Sequence, residues 1–216
     1  GSVTVTQSNI TTANSAKIVI RADKNNSGTL IAKNAGNNGE ALPTVRFEKI
    51  VDRTNANGAR EWTLLGVPVT GVTSDNLQNW TASNGSTEAI GYFDNANGTW
   101  VTWPAGSGEV LTPGKGYHAS PDNNDDTPIN DILPMEGSYK KGFVQVAATD
   151  RAGNYGNWNL IGNPYAAYVR INDNAGGDAA SNTDDFLSQN TGNLHNLHEA
   201  VYYWNGESYT SASSAA

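Results

Sequence analysis

The residues best able to do chemistry are three groups of side chains. The first is His195-Asn-Leu-His198-Glu199, two imidazoles and a carboxylate within five positions, a donor set that zinc accepts. Zinc-peptidase helices place their histidines at i and i+4 with the glutamate between them. Here the spacing is i and i+3 at the start of a β-type run, and Glu199 matches Glu88 in a stretch with no histidine nearby. Its expected role is therefore structural. The second group is the acidic loops: Asp122, Asp125 and Asp126, then Asp173 to Asp178, then Asp184 and Asp185. Hard carboxylate oxygens could hold a structural calcium ion. None of the three fits a helix–loop–helix calcium template, and the competing reading is solvated loops with Asp184-Asp185 opening a helix. The third group is aromatic. Trp100 and Trp103 follow the turn Asn95-Ala-Asn-Gly98, and Tyr202, Trp204 and Tyr209 flank an equivalent turn. Indole and phenol faces stack on apolar sugar faces while neighbouring amides bond hydroxyls. The alternative is core packing and cross-strand pairing. Three-residue spacing in a strand puts Trp100 and Trp103 on opposite faces, one inward and one outward.

Catalytic signatures are missing by comparison. No Gly-x-Ser-x-Gly elbow and no phosphate-binding loop occurs in the 216 residues. A carboxylate pair for glycoside hydrolysis would be spatial rather than sequential, and leaves a polysaccharide-degrading fragment as a further alternative. With 13 Lys+Arg against 21 Asp+Glu the net charge is −8, which opposes binding to phosphate backbones and anionic lipid. No run reaches the apolar length of a membrane helix. There is no cysteine, so neither disulfides nor thiolate chemistry contribute. No cofactor is called for beyond the calcium alternative.

The elements that must position these residues are short β-type runs between turn clusters. They are Val3–Thr6, Lys17–Arg21, Thr29–Ala32, Val45–Val51, Ile90–Phe93, Thr99–Trp103, Phe143–Ala147 and Ala200–Trp204. Helix signals are confined to Ser74–Trp80 and Thr183–Asn190, each a capping residue followed by one or two turns. An internal repeat organises the whole. Trp62-Thr-Leu-Leu-Gly-Val-Pro68 matches Trp158-Asn-Leu-Ile-Gly-Asn-Pro164, and Glu88-Ala-Ile-Gly-Tyr-Phe93 matches Glu199-Ala-Val-Tyr-Tyr-Trp204. The shared tryptophan and aliphatics are expected in the core, so that Trp62 and Trp158 are equivalent and buried. The glycine is expected to allow a bulge or a close approach.

The expected fold is all-β, an antiparallel β-sandwich or jelly-roll-like arrangement of two sequence-related halves with an N-terminal strand leader. Residues 1–44 form the leader, 45–120 the first repeat, 121–137 a connecting loop and 138–216 the second repeat. Two small β domains joined near Asp122 to Pro134 are the alternative. The second repeat lacks a counterpart of the closing run Pro113–Ala119, since Ser211–Ala216 contains no strand-forming pattern. The edge at Ala200 to Tyr209 is therefore expected to be open, or paired with another molecule or with Val3–Thr6.

Ala22–Ile31, Val45-Arg-Phe47, Trp62–Pro68, Pro113–Tyr117, Asn157–Tyr165, Asp185-Phe-Leu187 and Val201–Trp204 together resemble modules of large secreted and surface proteins of Bacteroidetes, many of them cargo of type IX secretion. The resemblance covers most of the chain. It implies an extracellular or cell-surface location and a non-catalytic accessory role, structural or adhesive, with no catalytic residues. A carbohydrate-binding module is the alternative, and the partner is then a glycan or another surface protein.

Overall fold

The computed structural model describes residues 2–5, 18–21, 28–32, 44–51, 61–122, 132–140, 142–150, 158–172, 185–195, 199–204 and 208–213. The protein is all-β, as expected. Among the described residues, twelve strands and two short helices follow in the order β1 (Ser2–Val5), β2 (Ile18–Ile20), β3 (Thr29–Ala32), β4 (Thr44–Ile50), β5 (Thr63–Gly66), β6 (Val69–Thr70), α1 (Ser74–Leu77), β7 (Thr87–Asp94), β8 (Thr99–Pro104), β9 (Gly116–Ala119), β10 (Ile132–Tyr139), α2 (Phe186–Gln189), β11 (Ala200–Trp204) and β12 (Tyr209–Ser213). The two helices fall inside the two segments with capping signals. Asn76 Oδ1 accepts from the Thr73 N–H at 2.8 Å at the start of α1. Asp185 is buried and caps α2, its Oδ1 accepting from the Ser188 N–H at 2.9 Å, the helix-opening role expected for it.

The chain divides into two compact units, residues 1–167 and 168–216. The first unit contains two four-stranded sheets, ordered β2-β4-β10-β6 and β5-β9-β7-β8, and the small pair β1-β3. Pairing in the two large sheets is antiparallel except that β2 runs parallel to β4. Inward side chains of both sheets merge into one cluster, with Val45, Leu133 and Met135 from the first and Leu65, Ile90 and Tyr117 from the second. Leu77 of α1 and Leu111 are fully buried within it. Ile20 and Leu30 of the leader belong to this core. Leu30 is 2% exposed; its N–H donates to Ala166 O and its carbonyl accepts from the Tyr139 hydroxyl at 3.0 Å.

Several expectations are corrected. Residues 132–137, placed in the connecting loop, begin β10, a central strand paired with β4 over seven positions. The alternating Leu133 and Met135 fill the core there, a pattern masked by Pro134 and the adjoining loop-like run. Phe143–Ala147 is not a strand, and Phe143 is exposed; Val144 and Val146 instead lie against Gly114, and no ladder forms along them. Trp62 and Trp158 are equivalent in exposure but not buried, at 48% and 49%. The alternation of β5 sends Leu65 inward and Trp62 outward. Glycines, rather than tryptophans, carry the packing of the repeated motif: Gly66 and Gly162 meet backbone to backbone, a Cβ on Gly162 falling 2.5 Å from Gly66 Cα.

The second unit contains α2 and the hairpin β11-β12, in register from Ala200↔Ser213 to Trp204↔Tyr209. Ser211 to Ser213 thus lie in a strand although their side chains are small, because cross-strand pairing to β11 supplies what their pattern lacks. β1 pairs with β3, not with this hairpin.

Candidate functional site

The sheet β5-β9-β7-β8 has one face in the core, and the other carries a row of rings. Register places Leu64 opposite His118, His118 opposite Gly91, and Gly91 opposite Thr102. Residues two apart share a face, so Trp62, before Leu64, and Trp100, before Thr102, rise on the same side as His118. The indole of Trp62 stacks on the imidazole at 4.4 Å and 20°, and the indole of Trp100 stacks on its other side at 4.6 Å and 29°. Phe93, the cross-strand partner of Trp100, meets it edge-on at 5.1 Å. The result is a continuous row, Trp62–His118–Trp100–Phe93, crossing all four strands.

Gly91 makes the row possible. β7 lies between β9 and β8, and a side chain here would separate Trp100 from His118. A Cβ on Gly91 would stand 1.8 Å from Val101 O and 2.9 Å from His118 Nε2. With no side chain there, His118 Nε2 lies 3.2 Å from the Val101 carbonyl. A carbonyl only accepts, so Nε2 carries the proton. The imidazole is 5% exposed, while Trp62 and Trp100 remain about half in solvent at 48% and 45%. Burial pulls the His118 pKa below the ordinary histidine value, with the Val101 carbonyl acting in the opposite direction.

A pH dependence follows. The unfolded chain binds the His118 proton at about pH 6.5, and the folded chain only at lower pH. Stability from this group is complete above the unfolded value and is lost as pH falls through the folded one. The melting temperature is expected to drop between about pH 7.5 and pH 5, and His118→Gln should flatten that part of the profile. An identical profile for the variant would contradict this.

Beside the row, the turn between β7 and β8 is set by polar contacts. Asp94 Oδ1 accepts from the Ala96 N–H at 2.9 Å, and Asn97 Nδ2 donates to Asp94 Oδ2 at 2.6 Å. Asn95 donates to Thr149 Oγ1. Asn159, next to the half-exposed Trp158, bonds the Thr149 backbone at both N–H (2.9 Å) and carbonyl (3.1 Å). Amides and a hydroxyl thus lie on the surface within one loop cluster, next to the Phe93 end of the row.

The sequence-derived candidates separate clearly. Trp100 is exposed and belongs to the row. Trp103 is corrected: it is 9% exposed and faces the core between Tyr92 and Tyr117 at 5.9 and 5.8 Å, the inward partner that three-residue spacing demanded. Tyr202, Trp204 and Tyr209 lie exposed on β11-β12 of the second unit. His195 is exposed and Asp122 half-buried, while His198, Asp125 and Asp126 lie outside the described residues. Among the described residues no group of three or more His, Asp or Glu side chains gathers as a metal site would require. Glu88 is buried and accepts from the Thr81 hydroxyl at 3.3 Å, a structural role. The sequence reading passed over Trp62, Phe93, His118 and Gly91. The signal was present in β9, where Tyr117 and His118 are adjacent and so must face opposite ways.

No family model matches the chain, and no curated protein or solved structure matches it significantly.

Proposed function

We propose that this chain is a non-catalytic accessory module of an extracellular or cell-surface protein, and that it is adhesive, taking a neutral glycan on the outer face of sheet β5-β9-β7-β8. The observation that carries this reading is the row Trp62–His118–Trp100–Phe93, in which two half-exposed indoles are held rigidly by a buried imidazole. Fixed aromatic surface costs little entropy on binding, and exposed indole faces suit the apolar faces of sugar rings. A net charge of −8 favours a neutral ligand over a polyanion. The composition, poor in charge and rich in Asn, Ser, Thr and Gly, and the resemblance to surface modules of Bacteroidetes support the location. The only histidine in the row has Nε2 engaged with a carbonyl, which suits a packing role better than proton transfer.

The test is binding to surfaces coated with neutral glucan, mannan, xylan and chitin, with heparin as the polyanion. Wild type is expected to retain at least one neutral polysaccharide and to show no tight, salt-sensitive binding to heparin. Trp62→Ala and Trp100→Ala should each weaken the neutral interaction about tenfold or more, with little loss of stability because both rings are half in solvent. Failure of wild type to bind any neutral surface, or full binding by both variants, would overturn the reading.

A further inference from the structure

The hairpin of the second unit repeats the ligand-facing part of the first. Phe93 and Trp100 are cross-strand partners on either side of a turn, and their rings meet at 5.1 Å and 63°. Trp204 and Tyr209 are likewise cross-strand partners, and their rings meet at 5.2 Å and 67°. The correspondence follows the sequence repeat, in which Trp204 takes the position of Phe93 and Tyr202 that of Gly91. Tyr202 therefore puts a ring where the first hairpin leaves a gap for Trp100 to lean across. By alternation it shares a face with Trp204 and Tyr209, and the three are 40%, 47% and 59% exposed. Neither β11 nor β12 contains a charged side chain, whereas hydroxyls abound in Tyr209-Thr-Ser-Ala-Ser213. Such a surface offers nothing to an ionic partner and matches an uncharged polyhydroxyl ligand.

We infer that the face formed by Tyr202, Trp204 and Tyr209 is a second glycan-binding site, for a neutral saccharide of the same class as the first, so that one chain takes two ligands. This rests on the adhesive reading of the first unit. The experiment is calorimetric titration of the full chain with neutral hexasaccharides of glucose, mannose, xylose and N-acetylglucosamine. Wild type should bind two molecules of at least one of them. The double variant Tyr202→Ala/Trp204→Ala and the double variant Trp62→Ala/Trp100→Ala should each bind one. Ser211→Lys, which sets a charge opposite Tyr202 without truncating a ring, should also reduce the count to one; it serves as the check should the alanine variant fold poorly. A wild-type count of one that persists in Tyr202→Ala/Trp204→Ala and in Ser211→Lys would overturn the second site and leave the first standing. A count of two that falls only in the hairpin variants would uphold the second site and overturn the first. No binding by wild type overturns both. Concentration-dependent self-association abolished by Tyr202→Ala/Trp204→Ala would show that the face takes another copy of the chain, and would also overturn the inference.

Discussion

Gly91→Ala is expected to be among the most damaging single-methyl additions in the molecule. Most small-to-large changes in a packed region can be absorbed by moving a side chain. Here the new carbon would meet the Val101 carbonyl at 1.8 Å and His118 Nε2 at 2.9 Å. The first of these is backbone, and it belongs to the strand paired with β7. Relief requires β7 and β8 to part near Gly91↔Thr102, and that also moves the carbonyl to which His118 donates. The loss should reach about 3 kcal/mol, the upper end of overpacking costs, or roughly 6–12 °C in melting temperature for a chain of this length. The aromatic row should fail with it, seen as loss of ring-current shifts on the His118 imidazole protons. An unchanged melting temperature would show that the sheet yields there more easily than its geometry implies.

The second large effect belongs to the repeated motif. Gly162→Ala would put a methyl 2.5 Å from Gly66 Cα and 2.5 Å from the Lys115 carbonyl; Gly66→Ala would put one 2.6 Å from the Asn163 nitrogen and 2.8 Å from Gly162 Cα. All of these are backbone atoms, so neither methyl has a flexible neighbour to displace. Each substitution should cost about 3 kcal/mol. The double variant should lose clearly less than twice that, because once the two motifs have been forced apart by one methyl the second finds the space already open. Chemical denaturation of the two single variants and the double variant measures this directly. Strict additivity would mean that the two glycines are packed independently, and that the meeting of the repeats at this point does not matter to stability.

How much of this was legible in the sequence depended on the distance to each residue's partner. The β7-β8 hairpin could be read from Asn95–Gly98 set between alternating runs, and the opposite orientations of Trp100 and Trp103 from strand geometry alone. Both helices were visible in their caps. What failed was the assignment of faces. The repeated motif places Trp62 in the core beside its aliphatics, yet Leu65 occupies the core and the indole is committed to His118, 56 positions away. Phe143–Ala147 alternates as a strand does, but alternation does not provide a neighbour with free ladder groups. Conversely β10 contains a proline and follows an acidic run of sequence, and only its pairing with the distant β4 makes it a strand. In the repeat Gly91 has Tyr202 as its counterpart; only the rings on either side show why it is a glycine.

That long-range pairing of β4 has a consequence in time. On one side β4 has β2, which precedes it in the chain; on the other it has β10, whose nearest paired residue to Ile50 is Ile132, 82 positions later. At roughly 5–20 residues per second of synthesis, the strand waits several seconds with a bare edge. A bare edge of apolar strand is where nascent chains join one another. In a chain only 16% charged, β4 nevertheless holds Arg46, Glu48 and Lys49 among its seven residues. Arg46 and Glu48 pair at 3.0 Å in the finished protein, where the Glu48 side chain is buried. Those charges also bear on the interval before pairing, because charged side chains on an apolar strand oppose its joining another chain.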